Sequence, residues 1–418
     1  MPAKAVVPFL VAMMLLTGVC NTLLTKYQDM QCVRNCDVKS HKKPVFFEQP
    51  VIQTLQMFIG EMGCWLVIAV YQLHLWVQKK RGVHPEASEA EPLLADSDDT
   101  LQDEDPLSSS LVLPHDGREH LEGWRVLLLA LPACCDITGT TLMNVGLLFV
   151  AASIYQMTRG ALVLFVGLFS VIFLKRRLGL YKWFALFVVV SGVAVVGLAG
   201  VITKDDKATP SAMAAIMNEI KSTLADEVPE AGPNLALRTL LGVFLIAIAQ
   251  IFTATQFVIE ESIMEKYSLE PLKAVGWEGI WGFVVTSIGM VILHFAYGQT
   301  DAGRYGYFDA KEGLREVFHH RAIAVSSVLI MISIGGFNFF GLSVTRTVSA
   351  TSRSTIDTCR TLFIWVVSLG LGWETFKWLQ VVGFALLVYG TFLFNDLVRP
   401  PMAACLPKDD ETGEDMLD

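Results

Sequence analysis

Runs of consecutive apolar residues, each long enough to cross a membrane as a helix, constrain the fold of this 418-residue chain more than any other feature. A helix needs about 20 such residues to span roughly 30 Å of hydrocarbon. Strands of a membrane barrel would instead alternate apolar and polar residues over about ten positions. The sequence therefore predicts an all-α polytopic membrane protein with ten transmembrane helices. The predicted helices lie at residues 6–24, 51–77, 126–150, 154–174, 183–202, 237–259, 272–297, 323–342, 355–371 and 376–397.

The composition agrees with a multi-spanning membrane protein, because 53% of the residues are hydrophobic and 17% are charged. The net charge of −9 comes from two polar segments. Residues 82–123 carry twelve acidic residues against one arginine, and residues 401–418 carry six against one lysine. The first segment cannot bury a core and is predicted to be a disordered linker. The acidic balance belongs to solvated segments and does not argue for a basic partner.

The distribution of Lys and Arg near the ends of the runs predicts a cytosolic amino terminus, linker and tail. The loop that holds Cys32 and Cys36 then faces the oxidising side, where a disulfide between them is an open alternative. Three lysines in the same loop, at 39, 42 and 43, argue against this orientation. The first apolar run also has the length of a signal peptide, but no small-x-small cleavage site follows it.

A shift of the chain on itself by 195 residues places Gly146 on Gly341 and Trp183 on Trp378. Each half then holds five helices, and because five is odd, the second half enters the membrane inverted. Inverted repeats are typical of secondary transporters, whose substrate site lies near mid-membrane between the halves. A chance match of two common membrane residues is the alternative. The predicted organisation is a first repeat at 1–202 that includes the linker 82–123, a loop at 203–236, a second repeat at 237–397 and an acidic tail at 398–418.

Ionisable residues inside the runs are the candidate functional residues, since a charge in hydrocarbon must face protein or a water-filled path. Glu61 and Glu278 lie in the second and seventh helices, which correspond in the two repeats, and both have glycine neighbours. In a low dielectric a carboxyl group holds its proton more readily, so either glutamate is suited to proton coupling or to substrate binding. A permanently protonated, structural glutamate is the alternative.

Further polar residues are candidates for the same pathway. Asp136 follows Pro132 by four residues, and a proline kink suits the lining of a cavity. Arg353, Asp357 and Arg360 share one helical face, and we expect Arg353 to neutralise Asp357. Arg360 and, in the first half, Arg159 then remain to bind an anionic group of the substrate. Arg360 could instead pair with Asp136. For Arg159 and Arg353 the alternative role is to anchor their helices at the membrane interface. The predicted cavity-lining residues are Asn144, Gln156, Thr158 and Asn338.

Catalytic motifs are not found in the sequence. It contains no nucleotide-binding loop, zinc-protease motif or nucleophile elbow, and its histidines have no metal-ligand spacing. We therefore expect neither an enzyme nor a cofactor or metal.

Three stretches resemble the drug/metabolite transporter superfamily: SIYQMTRGALVLFVGLFSVIFLKRRL, FVIEESIMEKYSLEPLKAVGWEGIWG and QTLQMFIGE. More closely, the chain resembles the F group of solute carrier family 35 and the chloroquine-resistance-transporter-like proteins, over nearly all of residues 5–397. The resemblance implies ten helices in two inverted five-helix halves, cytosolic termini, a central solute cavity and a lysosomal membrane. It does not fix a substrate.

The linker also carries a candidate sorting motif. Residues 89–94 read E-A-E-P-L-L, with Glu89 four positions before the first leucine of the pair Leu93 and Leu94, as in an acidic dileucine signal. Such a motif needs an exposed, flexible, cytosolic segment, which the linker is predicted to be.

The sequence thus predicts a secondary transporter that moves a small organic solute, with protons as the candidate coupling ion, across an endolysosomal or vacuolar membrane by alternating access. The Golgi or another endomembrane is the alternative location. Expected partners are the solute, protons, the lipid bilayer, a sorting adaptor and, as an open option, a second copy of the chain; nucleic acid is not expected. The rival hypothesis is a membrane scaffold that acts through its acidic cytosolic segments.

Overall fold

The computed structural model describes residues 3–36, 45–47, 49–80, 119–121, 123–147, 160–176, 178–202, 234–300, 306, 308–373, 376 and 378–398. These residues are almost entirely helical. The α-helices are α1 (Ala3–Asp29), α2 (Pro50–Lys80), α3 (Ala130–Leu147), α4 (Leu162–Phe173), α5 (Leu180–Ile202), α6 (Asn234–Lys266), α7 (Pro271–Leu293), α8 (Ala310–His319), α9 (Arg321–Thr347), α10 (Ala350–Gly370) and α11 (Trp378–Phe394). A 3₁₀ segment, Gly123–Leu129, precedes α3, and a π-helical turn, His294–Gly298, follows α7.

The helices confirm the prediction of an all-α polytopic membrane protein. Within the described residues, six helices are long and apolar enough to cross a membrane, and three shorter ones are apolar. A helix overlaps each of the ten predicted runs. The arrangement of ten spans as two inverted repeats stays a prediction.

The outward surface of α2 shows why these sequences form helices of this kind. Leu66, Val70 and Leu73 are each more than half exposed, whereas Cys64 on the opposite face is buried. Large apolar side chains exposed in a row would be unfavourable in water but are favoured against lipid. The main-chain polar groups are bonded within the helix, as hydrocarbon requires.

Two small sheets join the ends of helices. Strands β1 (Cys32–Arg34) and β2 (Val45–Phe46) pair antiparallel, and the structure closes a disulfide between Cys32 and Cys36 beside them. Strands β3 (Glu119–His120) and β4 (Tyr267–Ser268) pair parallel.

The chain divides into two compact units, and each contains residues from both halves of the sequence. The first unit holds Met1–Ile137 and Ile259–Thr347, and the second holds Thr138–Val258 and Val348–Asp418. The core of the first unit includes Leu129, Ala274 and Leu342. In the second unit the buried apolar residues include Val163, Leu186, Val189, Ala254, Leu387 and Leu393.

Two element boundaries differ from the sequence prediction. The sixth helix was expected to end at Ile259 because its apolar run stops there, but α6 continues for two further turns to Lys266. The segment 298–320 was expected to be a loop, but α8 occupies Ala310–His319. Asp309 caps this helix by accepting a hydrogen bond from the Glu312 backbone N–H at 3.3 Å. A search for long apolar runs misses α8 because the helix is short and amphipathic.

The proline in the third helix lies where the helix type changes. Pro132 is the third residue of α3, just after the 3₁₀ segment gives way to the α-helix. A proline has no N–H to bond to the preceding turn. The predicted kink at this position stays a prediction.

Candidate functional site

The candidate site lies in the first unit, where α2 packs against α7 through three glycines. Gly276 lies against Trp65, Gly279 against Glu61 and Met62, and Gly282 against Phe58. As the residue number rises along α7, the contacted residue number falls along α2, so the two helices are antiparallel. A Cβ at Gly279 would lie 2.6 Å from the Met62 backbone nitrogen and 2.7 Å from the Glu61 Cβ. Only glycine allows this approach, as is common where membrane helices cross.

The opposite side of α2 packs equally closely on α9. A Cβ on Gly60 would collide with the backbone of Met331, and a Cβ on Gly335 would meet the carbonyl oxygen of Gly60. The segment around Glu61 is therefore held between two helices from the second half of the chain.

Glu61 is the centre of this packing. It is 3% exposed, and the side-chain N–H of Asn338 on α9 donates a hydrogen bond to its Oε1 at 2.5 Å. Glu278, 7% exposed, directly precedes the glycine that packs on Glu61. The structure therefore brings three sequence-predicted site residues, Glu61, Glu278 and Asn338, to the same helix crossings.

A line of glutamines continues from Glu61 along α2 towards its amino terminus. Gln56 is buried and donates to the Ser327 hydroxyl at 2.9 Å, and Gln28 on α1 donates to the same oxygen at 2.9 Å. Gln53 donates to Oε1 of Gln28 at 3.3 Å and to the carboxylate of Asp29 at 2.6 Å.

The line ends just before α2 begins, at Gln49, whose side chain donates to Glu316 at 3.4 Å. Gln49, Gln53 and Gln56 have the spacing i, i+4, i+7 and so share one helical face. With a rise of 1.5 Å per residue, this polar face covers about 10 Å of helix between Gln49 and Gln56, and Glu61 lies about 1.4 turns further along on a different side of α2. The sequence analysis did not predict this polar face, although the glutamine spacing was visible.

Two buried acidic residues were also missed. Glu260 and Glu261 are 3% and 2% exposed and lie in the part of α6 beyond its predicted end. They escaped notice because the apolar run was taken to close the helix, which would have left both in a solvated loop. Asp136, a predicted pathway residue, lies on α3 in the same unit and is partly buried.

The second unit holds the charged residues of α10. The guanidinium of Arg353, itself 3% exposed, lies 4.1 Å from the centre of the Phe257 ring, within cation–π range. Asp357 pairs with Arg360 through contacts of 3.2 Å and 3.4 Å. The sequence analysis had assigned Asp357 to Arg353 and left Arg360 for an anionic group. Arg360, which was expected to be available for an anionic group, is thus paired with Asp357.

Several predicted residues lie outside the described residues. These are Gln156, Thr158 and Arg159 of the candidate pathway, and Glu89, Leu93 and Leu94 of the sorting motif. The backbone of Asn144 lies in α3, but its side chain is not described.

Among the described residues, no group of three or more His, Cys, Asp or Glu side chains is arranged to hold an ion. The buried groups at the helix crossings are carboxyls and amides, which suit proton binding and hydrogen bonding to a polar solute.

Comparison with known proteins gives consistent matches across the chain. A family model described as nucleotide-sugar transporter matches residues 119–256. The human protein solute carrier family 35 member F6 is 35% identical over 395 residues, which cover 94% of this chain and 89% of the human protein. An uncharacterized protein of Schizosaccharomyces pombe is 34% identical over 390 residues, covering 93% of this chain and 98% of the yeast protein. The UDP-galactose transporter of the same yeast is 33% identical over 92 residues, which are 22% of this chain and 25% of that protein.

A solved structure, described only as the crystal structure of a protein, superposes with a TM-score of 0.50 at 10% sequence identity. The superposition covers 94% of this chain and 99% of the solved one. At this identity the likeness concerns the fold alone.

Proposed function

Because this chain belongs to solute carrier family 35, in the drug/metabolite transporter superfamily, and is therefore a membrane transporter and not an enzyme, we propose that it moves a small organic solute across an endolysosomal membrane by proton-coupled alternating access.

The observation that carries the proposal is the buried Glu61 carboxyl, bonded to Asn338 between two tightly packed helices. A carboxylate in hydrocarbon is costly unless it is neutralised or solvated, so its protonation state is coupled to the access of water. A transporter that opens alternately to two sides changes that access in each cycle. In this proposal Glu61 takes up a proton on one side of the membrane and releases it on the other.

The polar contacts between α2 and α9 support a route to this carboxyl, since Gln56 and Glu61 both bond to side chains of α9. Gln49, Gln53 and Gln56 lead from the amino-terminal end of α2 towards Glu61, and their amides can bond water or a polar solute. Amide groups do not ionise, so these glutamines are suited to bind water along the route, while the proton itself is held by the carboxyl of Glu61.

The small sheets support the proposed topology. The loop that contains β1 and β2 follows the first span, and it contacts α8, which follows the seventh span in the predicted order. Six crossings separate the two segments. Because six is even, both segments lie on the same side of the membrane. Likewise, β3 follows the second span and pairs with β4, which follows the sixth span. Four crossings separate them, so both strands also lie on one side of the membrane. Both contacts agree with the proposed ten spans.

The proposed location rests on the sorting motif at residues 89–94 and on the resemblance stated in the sequence analysis. The motif lies in the linker, on the side that the topology assigns to the cytosol, where a sorting adaptor would meet it. The substrate class stays a small organic solute, since the likeness to the UDP-galactose transporter covers only a quarter of that protein.

Flux in proteoliposomes tests the coupling. Purified protein is reconstituted with an imposed pH gradient, a mixture of cell metabolites is supplied, and uptake is followed by mass spectrometry. We expect gradient-driven uptake of a solute with the wild type and its loss with Glu61→Gln, while Glu265→Gln, at the exposed end of α6, keeps it. Uptake by wild type and Glu61→Gln that is equal and independent of the gradient would overturn proton coupling.

A deletion separates transport from the scaffold hypothesis. Removal of residues 84–118 takes away most of the linker and leaves every described helix in place. We expect the deleted protein to transport normally in proteoliposomes. Loss of activity in that purified system would favour the scaffold.

A further inference from the structure

A groove lies between α1 and α9 of the first unit, where α1 ends and α9 begins. The two helices run antiparallel, since Thr17 packs on Gly336 and the later residue Gln28 bonds to the earlier Ser327. Beyond the Gln28 contact they leave a groove of about 360 Å³. The residues that line it include Leu24 and Tyr27 of α1 and Arg321, Ala322, Val325 and Leu329 of α9.

The walls of the groove are apolar, and its floor is made of small residues. Val325 and Leu329 are 52% and 45% exposed, on a helix that is long and apolar enough to cross the membrane. Ala322 and Ser326 lie one turn apart and take up little room. The Ser326 hydroxyl donates to the carbonyl oxygen of Ile323 at 3.0 Å, so it is already bonded within its own helix. The groove therefore suits an acyl chain better than a polar solute.

A guanidinium group lies at one end of this apolar surface. Arg321 precedes Val325 and Leu329 by four and eight positions, so the three share one face over about 12 Å of helix. Arg321 is also the first residue of α9, a helix of 27 residues. The first N–H groups of a helix have no helical acceptor and form the positive end of its dipole. The side chain and the start of the helix thus both attract an anion to the same end of the groove.

The charge of Arg321 is not neutralised by any carboxylate in the part of the chain that the structure describes. Helix α9 contains no acidic residue, and α1 contains Asp29 alone. Asp29 lies about 200° around α1 from Tyr27, because successive helical residues are about 100° apart. There it accepts a hydrogen bond from Gln53 of α2 at 2.6 Å. The acidic group of α1 therefore faces away from the groove.

We propose that this groove binds one phospholipid with an anionic head group. The phosphate lies on the guanidinium of Arg321, and one acyl chain follows Val325 and Leu329 into the membrane. Arginine suits this role because its paired N–H donors match the oxygens of a phosphate, and basic pockets between membrane helices bind anionic head groups. Tyr27, 44% exposed, marks the level of the head groups, where tyrosine is enriched. The proposal needs only the membrane setting and does not depend on the transport cycle proposed above.

Native mass spectrometry of the full-length protein tests the head-group contact. The protein is delipidated in detergent and titrated with phosphatidylglycerol or with phosphatidylcholine of the same acyl chains. We expect the first phosphatidylglycerol to bind several-fold more tightly than the first phosphatidylcholine. Arg321→Gln should remove this preference, and Arg321→Lys should keep part of it. Arg315→Gln is the matched control, because Arg315 is an exposed arginine of α8 that pairs with Glu312 at 3.7 Å, and it should bind lipid like the wild type.

A bulky side chain in the groove tests the acyl-chain contact. Val325→Trp should weaken the binding of phosphatidylglycerol several-fold. Val70→Trp should not, because Val70 is similarly exposed, at 57%, but lies on the lipid face of α2. All these positions are exposed, and equal thermal unfolding midpoints without lipid would confirm that the variants fold.

Two results for the head group would overturn the proposal: equal affinity of the wild type for the two lipids, and an unchanged preference in Arg321→Gln. Unweakened binding by Val325→Trp would overturn the assignment to this groove. A dimeric wild type that becomes monomeric in Val325→Trp, with lipid binding unchanged, would show instead that this face joins two copies of the chain.

Discussion

Asn338 on α9 donates a hydrogen bond to the carboxyl of Glu61 on α2, across 277 positions of sequence. The bond joins the first half of the chain to the second at the point where glycines bring α2, α7 and α9 together. It makes the geometry of α9 sensitive to the charge of Glu61, because an amide N–H bonds an ionised carboxylate more strongly than a neutral one.

Asn338→Ala should therefore change the pH dependence of transport. The variant leaves Glu61 without this donor, so we expect the pH profile of uptake to differ from that of the wild type. Hydrogen bonds between membrane helices contribute about 1 kcal/mol or less, so the protein should still fold. Ser333→Ala, which removes a weaker 3.4 Å contact between α9 and Asn21, is the control and should leave the profile unchanged.

Gly279→Ala should destabilise the first unit. The added methyl group would meet the Met62 backbone and the Glu61 side chain, and overpacking of this kind costs about 1–3 kcal/mol. Gly289→Ala on the same helix is the matched control, because a Cβ there meets nothing within 4 Å. Thermal unfolding in detergent should show a lower midpoint for Gly279→Ala only; equal midpoints would refute the close approach of α2 and α7.

The second unit has its own close contact, between α5 and α11. A Cβ on Gly192 would lie 2.7 Å from the Gly383 carbonyl oxygen, and one on Gly383 would lie 2.8 Å from that of Gly192. Each alanine substitution should therefore lower the unfolding midpoint, by an amount that corresponds to about 1–3 kcal/mol. Gly370→Ala, at an open position of α10, should not. Tolerance of alanine at both contact positions would contradict this packing.

Substitution of Leu93 and Leu94 by alanine should move the protein away from endolysosomal membranes without loss of transport by the purified protein. Microscopy of the tagged protein measures its location. Leu101→Ala with Leu107→Ala, in the same linker but outside the motif, is the control. An unchanged location of the Leu93/Leu94 variant would show that the motif is not the sorting signal of this protein.

The fold was predictable where one physical rule dominates. Hydrocarbon allows long apolar helices and little else, so runs such as 51–77 and 323–342 identified α2 and α9 within a few residues. The rule does not recognise helical segments that are short or polar. It missed α8, which is short and polar, and the last two turns of α6, which are acidic.

The candidate site was predictable only residue by residue. Glu61, Glu278 and Asn338 stand out as polar groups in apolar runs, but their proximity depends on tertiary packing. Gln49, Glu260 and Glu316 were missed because each lies at or beyond the end of an apolar run, where a polar residue is expected to be solvated. The pairing of Asp357 with Arg360 depends on rotamers, which spacing along α10 does not determine.

Untargeted metabolite profiling of purified endolysosomes tests the central claim most directly. Organelles are compared from cells that lack the protein and from cells that express the wild type, Glu61→Gln or Glu278→Gln at equal levels. The account predicts a solute that accumulates without the protein, is cleared by the wild type and is not cleared by either variant. Clearance by both variants as fast as by the wild type would contradict the role of the buried carboxyls, and identical metabolites in all four samples would contradict transport across this membrane.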